Sequence, residues 1–129
     1  MNSNTEYKNL EVLIVEDELD ICYLLSGILK RKNLKPSYVT SLVAAQKELD
    51  TIKPDILFID NHLPDGLGID FISSVKKTYP LIKIVMITAH DTGEDKNKAL
   101  KHGADYFIGK PFTSHAIMET VDDLLEALL

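Results

Sequence analysis

A single cysteine, Cys22, no tryptophan and four scattered histidines in 129 residues close off several chemistries at once. One thiol cannot form an internal disulfide, so the chain does not read as a cross-linked secreted scaffold. The histidines, with one cysteine among them, show no zinc-ligand spacing. Long apolar runs are also missing. The longest, Ile21–Leu25, falls far short of the roughly 20 residues that span a bilayer. The opening stretch, MNSNTEYKNLE, lacks the apolar core of a secretory signal. Basic residues are outnumbered, 14 Lys and Arg against 20 Asp and Glu, for a net charge of −6. That balance argues against direct binding to nucleic acid or to an anionic membrane. The expectation is a cytoplasmic protein with neither as a partner.

What is present fits one globular domain: 45% hydrophobic and 26% charged residues. Residues 1–9 read as an N-terminal extension and 10–129 as the domain. Short apolar runs recur at Val12–Val15, Pro36–Val39, Ile56–Ile59, Ile84–Ile87 and Asp105–Ile108. Three are apolar at every position, which suits strands buried on both faces of a parallel sheet. Between and after them lie helical stripes: Ile21, Leu24, Leu25, Ile28 and Leu29; Leu42, Ala45 and Leu49; Ile69, Ile72 and Val75; Ala99 and Leu100; and Ile117, Val121, Leu124, Leu125 and Leu128. The order is β-α five times over, an α/β fold with right-handed crossovers. Pro36, Pro54 and Pro80 punctuate strand starts, Gly103 is the expected helix C-cap, and Thr113 or Ser114 the expected N-cap of the last helix.

In an open parallel sheet, ligands bind beyond the carboxyl ends of the strands. Glu16 and Asp17 follow the first strand and Asp60 ends the third. Thr88 ends the fourth, and Lys110 follows the fifth. Carboxylates gathered in one crevice repel one another and call for a cation. Hard oxygen donors favour Mg²⁺, with Mn²⁺ as the alternative. A divalent cation beside a hydroxyl and an ammonium suits a phosphoryl group, and an ionised aspartate can attack phosphorus without a general base.

These stretches, VLIVEDE, ILFIDNHLPDGLG, IVMITAH and GADYFIGKPF, together resemble the receiver domains of two-component response regulators over about Leu10 to Leu128. The resemblance implies a doubly wound, flavodoxin-like sheet of order 2-1-3-4-5. It makes Asp60 the phosphoacceptor and places the cation on Asp17, Asp60, the His62 carbonyl and, through water, Glu16. Thr88 and Lys110 would contact the phosphoryl oxygens, and Phe107 stands where the family carries its switch aromatic. A histidine kinase or histidine phosphotransfer protein would donate the phosphoryl group. A downstream output domain or protein would read the surface of the fourth helix, fifth strand and fifth helix. In this reading the chain is a signalling switch, not an enzyme with an external substrate. The family also leads us to expect a cis Lys110–Pro111 bond.

Each residue has an ordinary structural reading too. Glu16 and Asp17 could be a polar loop, Asp60 a turn residue, Thr88 a satisfied strand residue, and Cys22 a small packing residue in the first helix. The basic run Lys30, Arg31, Lys32 and Lys35 complements a helix dipole. His62 and His90, two residues past Asp60 and Thr88, are solvent-facing loop side chains or tune water access to an acyl phosphate. Two other functional classes stand beside the switch: a phosphorylation-independent pseudo-receiver, and a phosphohydrolase with an aspartyl nucleophile.

Overall fold

The computed structural model describes residues 10–89 and 92–128. Strands β1 (Glu11–Val15), β2 (Lys35–Val39), β3 (Ile56–Asp60), β6 (Lys83–Thr88) and β7 (Tyr106–Gly109) form one parallel sheet of order β2-β1-β3-β6-β7. Setting aside a short ladder between β4 (His62–Leu63) and β5 (Gly66–Leu67), this is the expected 2-1-3-4-5 order.

The unbroken apolar runs follow from burial on both faces. Val12 and Ile14, Ile56 and Phe58, and Val85 and Ile87 pack beneath helices α1 (Leu19–Arg31) and α5 (Ser114–Ala127). Their alternating neighbours Leu13, Val15, Leu57, Ile59, Ile84 and Met86 pack beneath α2 (Leu42–Ile52), α3 (Gly68–Thr78) and α4 (Gly93–Lys101). Because the strand period is 2, one run supplies two cores. Each wholly buried Leu, Ile or Phe contributes about 1.5–3 kcal/mol.

The structure corrects some details. Leu24 and Leu100 were expected on buried stripes but are 49% and 41% exposed, as α1 turns Cys22, Leu25 and Leu29 inward and α4 turns only Ala99 inward. Leu128, beyond the end of α5, is exposed as well. Pro36 sits inside β2, tolerated because β2 is an edge strand. Gly103 follows α4 at φ +116, a left-handed-side conformation that favours glycine. Thr113 is the N-cap of α5, its hydroxyl accepting the Ala116 N–H at 3.1 Å. Lys30 and Arg31 lie in the last turn of α1, and Lys32 is paired with Asp122 at 2.6 Å.

Candidate functional site

The parallel register brings four strand ends to one rim. Val15 lies opposite Ile59, Asp60 opposite Ile87, and Thr88 opposite Gly109. The ladder continues one step past two strands: the Glu16 N–H donates to the Val39 carbonyl at 3.0 Å, and the Lys110 N–H donates to the Thr88 carbonyl at 2.9 Å. The side chains at these positions are therefore fixed by sheet geometry.

They enclose a polar cavity of about 260 Å³ lined by Asp17, Glu18, Asp60, His62, Thr88, Ala89 and Lys110. Among the described residues, Glu16, Asp60 and Thr88 are the buried polar ones, at 2%, 6% and 1% exposure. The Lys110 ammonium lies 2.7 Å from Glu16 Oε1, 3.3 Å from Glu18 Oε1 and 3.4 Å from Asp60 Oδ2. Carboxylate oxygens of Glu16, Asp17, Glu18 and Asp60 all lie within 4.8 Å of one another. At that separation two carboxylates repel by ~3–4 kcal/mol at an effective dielectric constant of about 20. One lysine does not offset so many acids. The donor set, hard oxygens without sulfur or imidazole nitrogen, fits Mg²⁺ or Mn²⁺.

Burial pushes the Glu16 carboxyl above its ordinary value, partly offset by its bond from Lys110 and by the Glu18 N–H at 3.1 Å. For Lys110, burial opposes the charge, but the hydrogen bond to Glu16 and the charges of Asp60, Glu16 and Glu18 outweigh it. The net result raises its pKa, so the ammonium keeps its proton at neutral pH. Beneath the acidic loop, Cys22 Sγ donates to the Glu16 carbonyl at 3.2 Å. Burial, with the Glu16 charge second, pushes this thiol up to about 11, so it stays protonated and inert at neutral pH.

Every candidate within the described residues is at the rim or on the sheet below it. His62 lies in β4 with an exposed side chain and helps line the cavity. Phe107 is half-buried in β7 opposite Met86, on the same face of the sheet as Thr88 and one pleat below it. The Lys110–Pro111 bond is cis. His90 lies outside the described residues.

Four residues escaped the sequence reading. Glu18 joins the acidic cluster; its only signal was a third acid in VLIVEDE. Asn61 accepts the Gly68 N–H on its carbonyl at 2.8 Å and the Ile69 N–H on its Oδ1 at 2.9 Å, tying the start of α3 to the residue after Asp60. Gly68 sits so close that a Cβ there would lie 2.3 Å from the Asp60 carbonyl oxygen. Asp65, in the β4–β5 turn, accepts the N–H groups of Leu42 and Val43 at 2.8 and 3.0 Å, and those bonds hold its carboxyl below the usual range.

A larger cleft of about 430 Å³ lies between the ends of α1 and α5, lined by Arg31, Lys32, Asn33, Asp122, Asp123, Leu125 and Glu126. It holds none of the rim residues.

Comparison with known proteins agrees with this geometry. The family model described as "Response regulator receiver domain" matches residues 12–122. The phosphate regulon transcriptional regulatory protein PhoB of Escherichia coli is 30% identical over 119 residues, covering 91% of this chain and 52% of PhoB. The nitrogen assimilation regulatory protein NtrX of Azorhizobium caulinodans is 31% identical over 120 residues, covering 92% of this chain and 26% of NtrX. The chain thus spans about half, or about a quarter, of these relatives. Among solved structures, the beryllofluoride-activated NtrC4 receiver domain dimer superposes with a TM-score of 0.86 at 32% identity, over 91% of this chain and 97% of that one.

Proposed function

The chain belongs to the response regulator receiver domain family, and from that premise we propose that it accepts a phosphoryl group on Asp60 from a phosphohistidine of a sensor kinase or phosphotransfer protein. The observation that carries this reading is Asp60 itself. It is a buried carboxylate at the end of the central strand, within one cluster with Glu16 and Asp17 and 3.4 Å from the Lys110 ammonium.

In the proposed transfer, an Asp60 carboxylate oxygen bonds to phosphorus as the P–N bond of the donor breaks. The bonding pair leaves with the imidazole nitrogen, which takes up a proton. Lys110 and the Thr88 hydroxyl bind the phosphoryl oxygens and hold the group in line. Asp17, Asp60, the His62 carbonyl and, through water, Glu16 would hold Mg²⁺, which supplies charge neutralisation for those oxygens. Thr88 drawn towards the new charge leaves room for Phe107, on the same face, to turn inward. The surface of α4, β7 and α5 then shifts, and an output domain or protein reads it. The His62 side chain, and His90 with it, tunes water access to the acyl phosphate.

Incubation with acetyl phosphate or phosphoramidate and Mg²⁺, followed by intact-mass spectrometry, tests the reading. One stable phosphoryl group per chain supports it. Steady turnover of external esters supports the phosphohydrolase, and no reaction of the folded protein supports a pseudo-receiver. Timing the decay of the phosphorylated form in His62→Ala and in His90→Ala reads the tuning role; unchanged lifetimes in both remove it. Among the described residues no helix is long and apolar enough to cross a membrane.

A further inference from the structure

Glu18 occupies the N-cap position of α1, yet its side chain caps nothing. Its backbone does the local work. Its N–H donates to Glu16 Oε2, and its carbonyl accepts from Ile21 and Cys22 at 3.1 and 3.2 Å. The carboxylate instead reaches across the mouth of the cavity, with its side chain 62% exposed, to the Lys110 ammonium at 3.3 Å. Lys110 is therefore tied to three acids, Glu16, Glu18 and Asp60. Two of these belong to the buried floor of the site, and the third comes from the rim.

We propose that Glu18 is a positioning residue that holds Lys110 in a resting pose and competes with an incoming phosphoryl group for its ammonium. This rests on the reading of Asp60 as phosphoacceptor. An arriving phosphoryl oxygen must displace the Glu18 carboxylate from Lys110, and it approaches past a negative charge at the mouth. The same charge adds a fourth carboxylate to the group available to a divalent cation. Glu18 thus has opposite effects on the two ligands of one pocket: it favours the cation and opposes the phosphoryl group. A residue that merely supported the fold would weaken both together.

The test is Glu18→Gln, with Glu18→Asp beside it. Gln removes the charge. Asp keeps the charge but is one methylene short of Lys110. Mg²⁺ alone is titrated into each protein, and phosphorylation by phosphoramidate is then timed at saturating Mg²⁺. For Glu18→Gln, we expect Mg²⁺ binding to weaken and the phosphorylation rate to rise, each on the order of two- to fivefold, the scale of an exposed charge interaction. Glu18→Asp should keep Mg²⁺ binding near wild type while still phosphorylating faster, because the tie to Lys110 is gone. The melting temperature of Glu18→Gln should change little, since the side chain caps no helix, and that of Glu18→Asp should hold or rise, since an aspartate at an N-cap accepts a first-turn N–H. If wild type is phosphorylated but Glu18→Gln is no faster, or loses rate and Mg²⁺ binding together, the proposal fails while the Asp60 reading stands. If folded wild type takes up no phosphoryl group, both fail.

Discussion

Asp60→Asn folds as well as wild type and takes up no phosphoryl group: this is the largest effect expected of any single substitution here. Asparagine has nearly the volume of aspartate, so the packing at the end of β3 is kept. It removes one negative charge from a group of carboxylates lying within 4.8 Å of one another. Lys110 retains its shortest partner, Glu16 at 2.7 Å. Relief of like-charge repulsion should leave the melting temperature equal or raised by a few degrees. The neutral amide is no nucleophile, so uptake from acetyl phosphate should fall from about one group per chain to none. Thermal melts and intact masses check both halves. A variant that still gains one group, or that unfolds, contradicts the account.

Gly68→Ala is expected to damage both the fold and the site. The new methyl would lie 2.3 Å from the carbonyl oxygen of Asp60 and 3.2 Å from the Asn61 Cα. Both are backbone atoms and cannot swing aside as a flexible side chain would. Either the start of α3 moves away, straining the bonds from Gly68 and Ile69 to Asn61, or the end of β3 moves and carries the Asp60 carboxylate with it. Overpacking of this kind costs about 1–3 kcal/mol. A displacement of about 1 Å at a reacting group costs up to ~100-fold in rate. Gly27→Ala is the matched control. It lies in the interior of α1 with nothing within 4 Å of an added Cβ, so alanine there should stabilise by roughly 0.5–1 kcal/mol and leave phosphorylation unchanged. Denaturant melts and phosphorylation rates of the pair separate the close approach at Gly68 from a general dislike of alanine. Equal behaviour of the two variants would refute the argument.

The fold was legible because its three central strands, β1, β3 and β6, are buried on both faces. VLIV, ILFI and IVMI carry no polar residue to confuse their boundaries, and each ends at the residue that opens the site. Asp60 and Thr88 could be placed on one rim from that alone, and Lys110 from the run Asp105–Ile108 before it, because a parallel sheet aligns its carboxyl ends. Other features depend on distances that no pattern records. The β4–β5 ladder pairs His62 and Leu63 with Gly66 and Leu67, too few residues to show a period. Glu18 reads locally as an acid at a helix start, where a carboxylate is favoured by the dipole alone; only the fold brings Lys110, far along the chain, against it. Leu24 and Leu100 fit helical spacing, but each stripe is wider than the surface its helix buries, so the outer leucine stays in water. The closeness of Gly68 to Asp60 has no sequence signature beyond a glycine where α3 begins.

The central claim is that one particular carboxylate carries the phosphoryl group. An acyl phosphate is reduced by borohydride to the corresponding alcohol, so the phosphorylated aspartate becomes homoserine and can be located by peptide sequencing in a mass spectrometer. Treatment of the Mg²⁺- and phosphoramidate-exposed protein should place homoserine at position 60 alone. Reduction at Asp17 or at another carboxylate, or no reduction in a protein shown to be folded, would contradict the assignment.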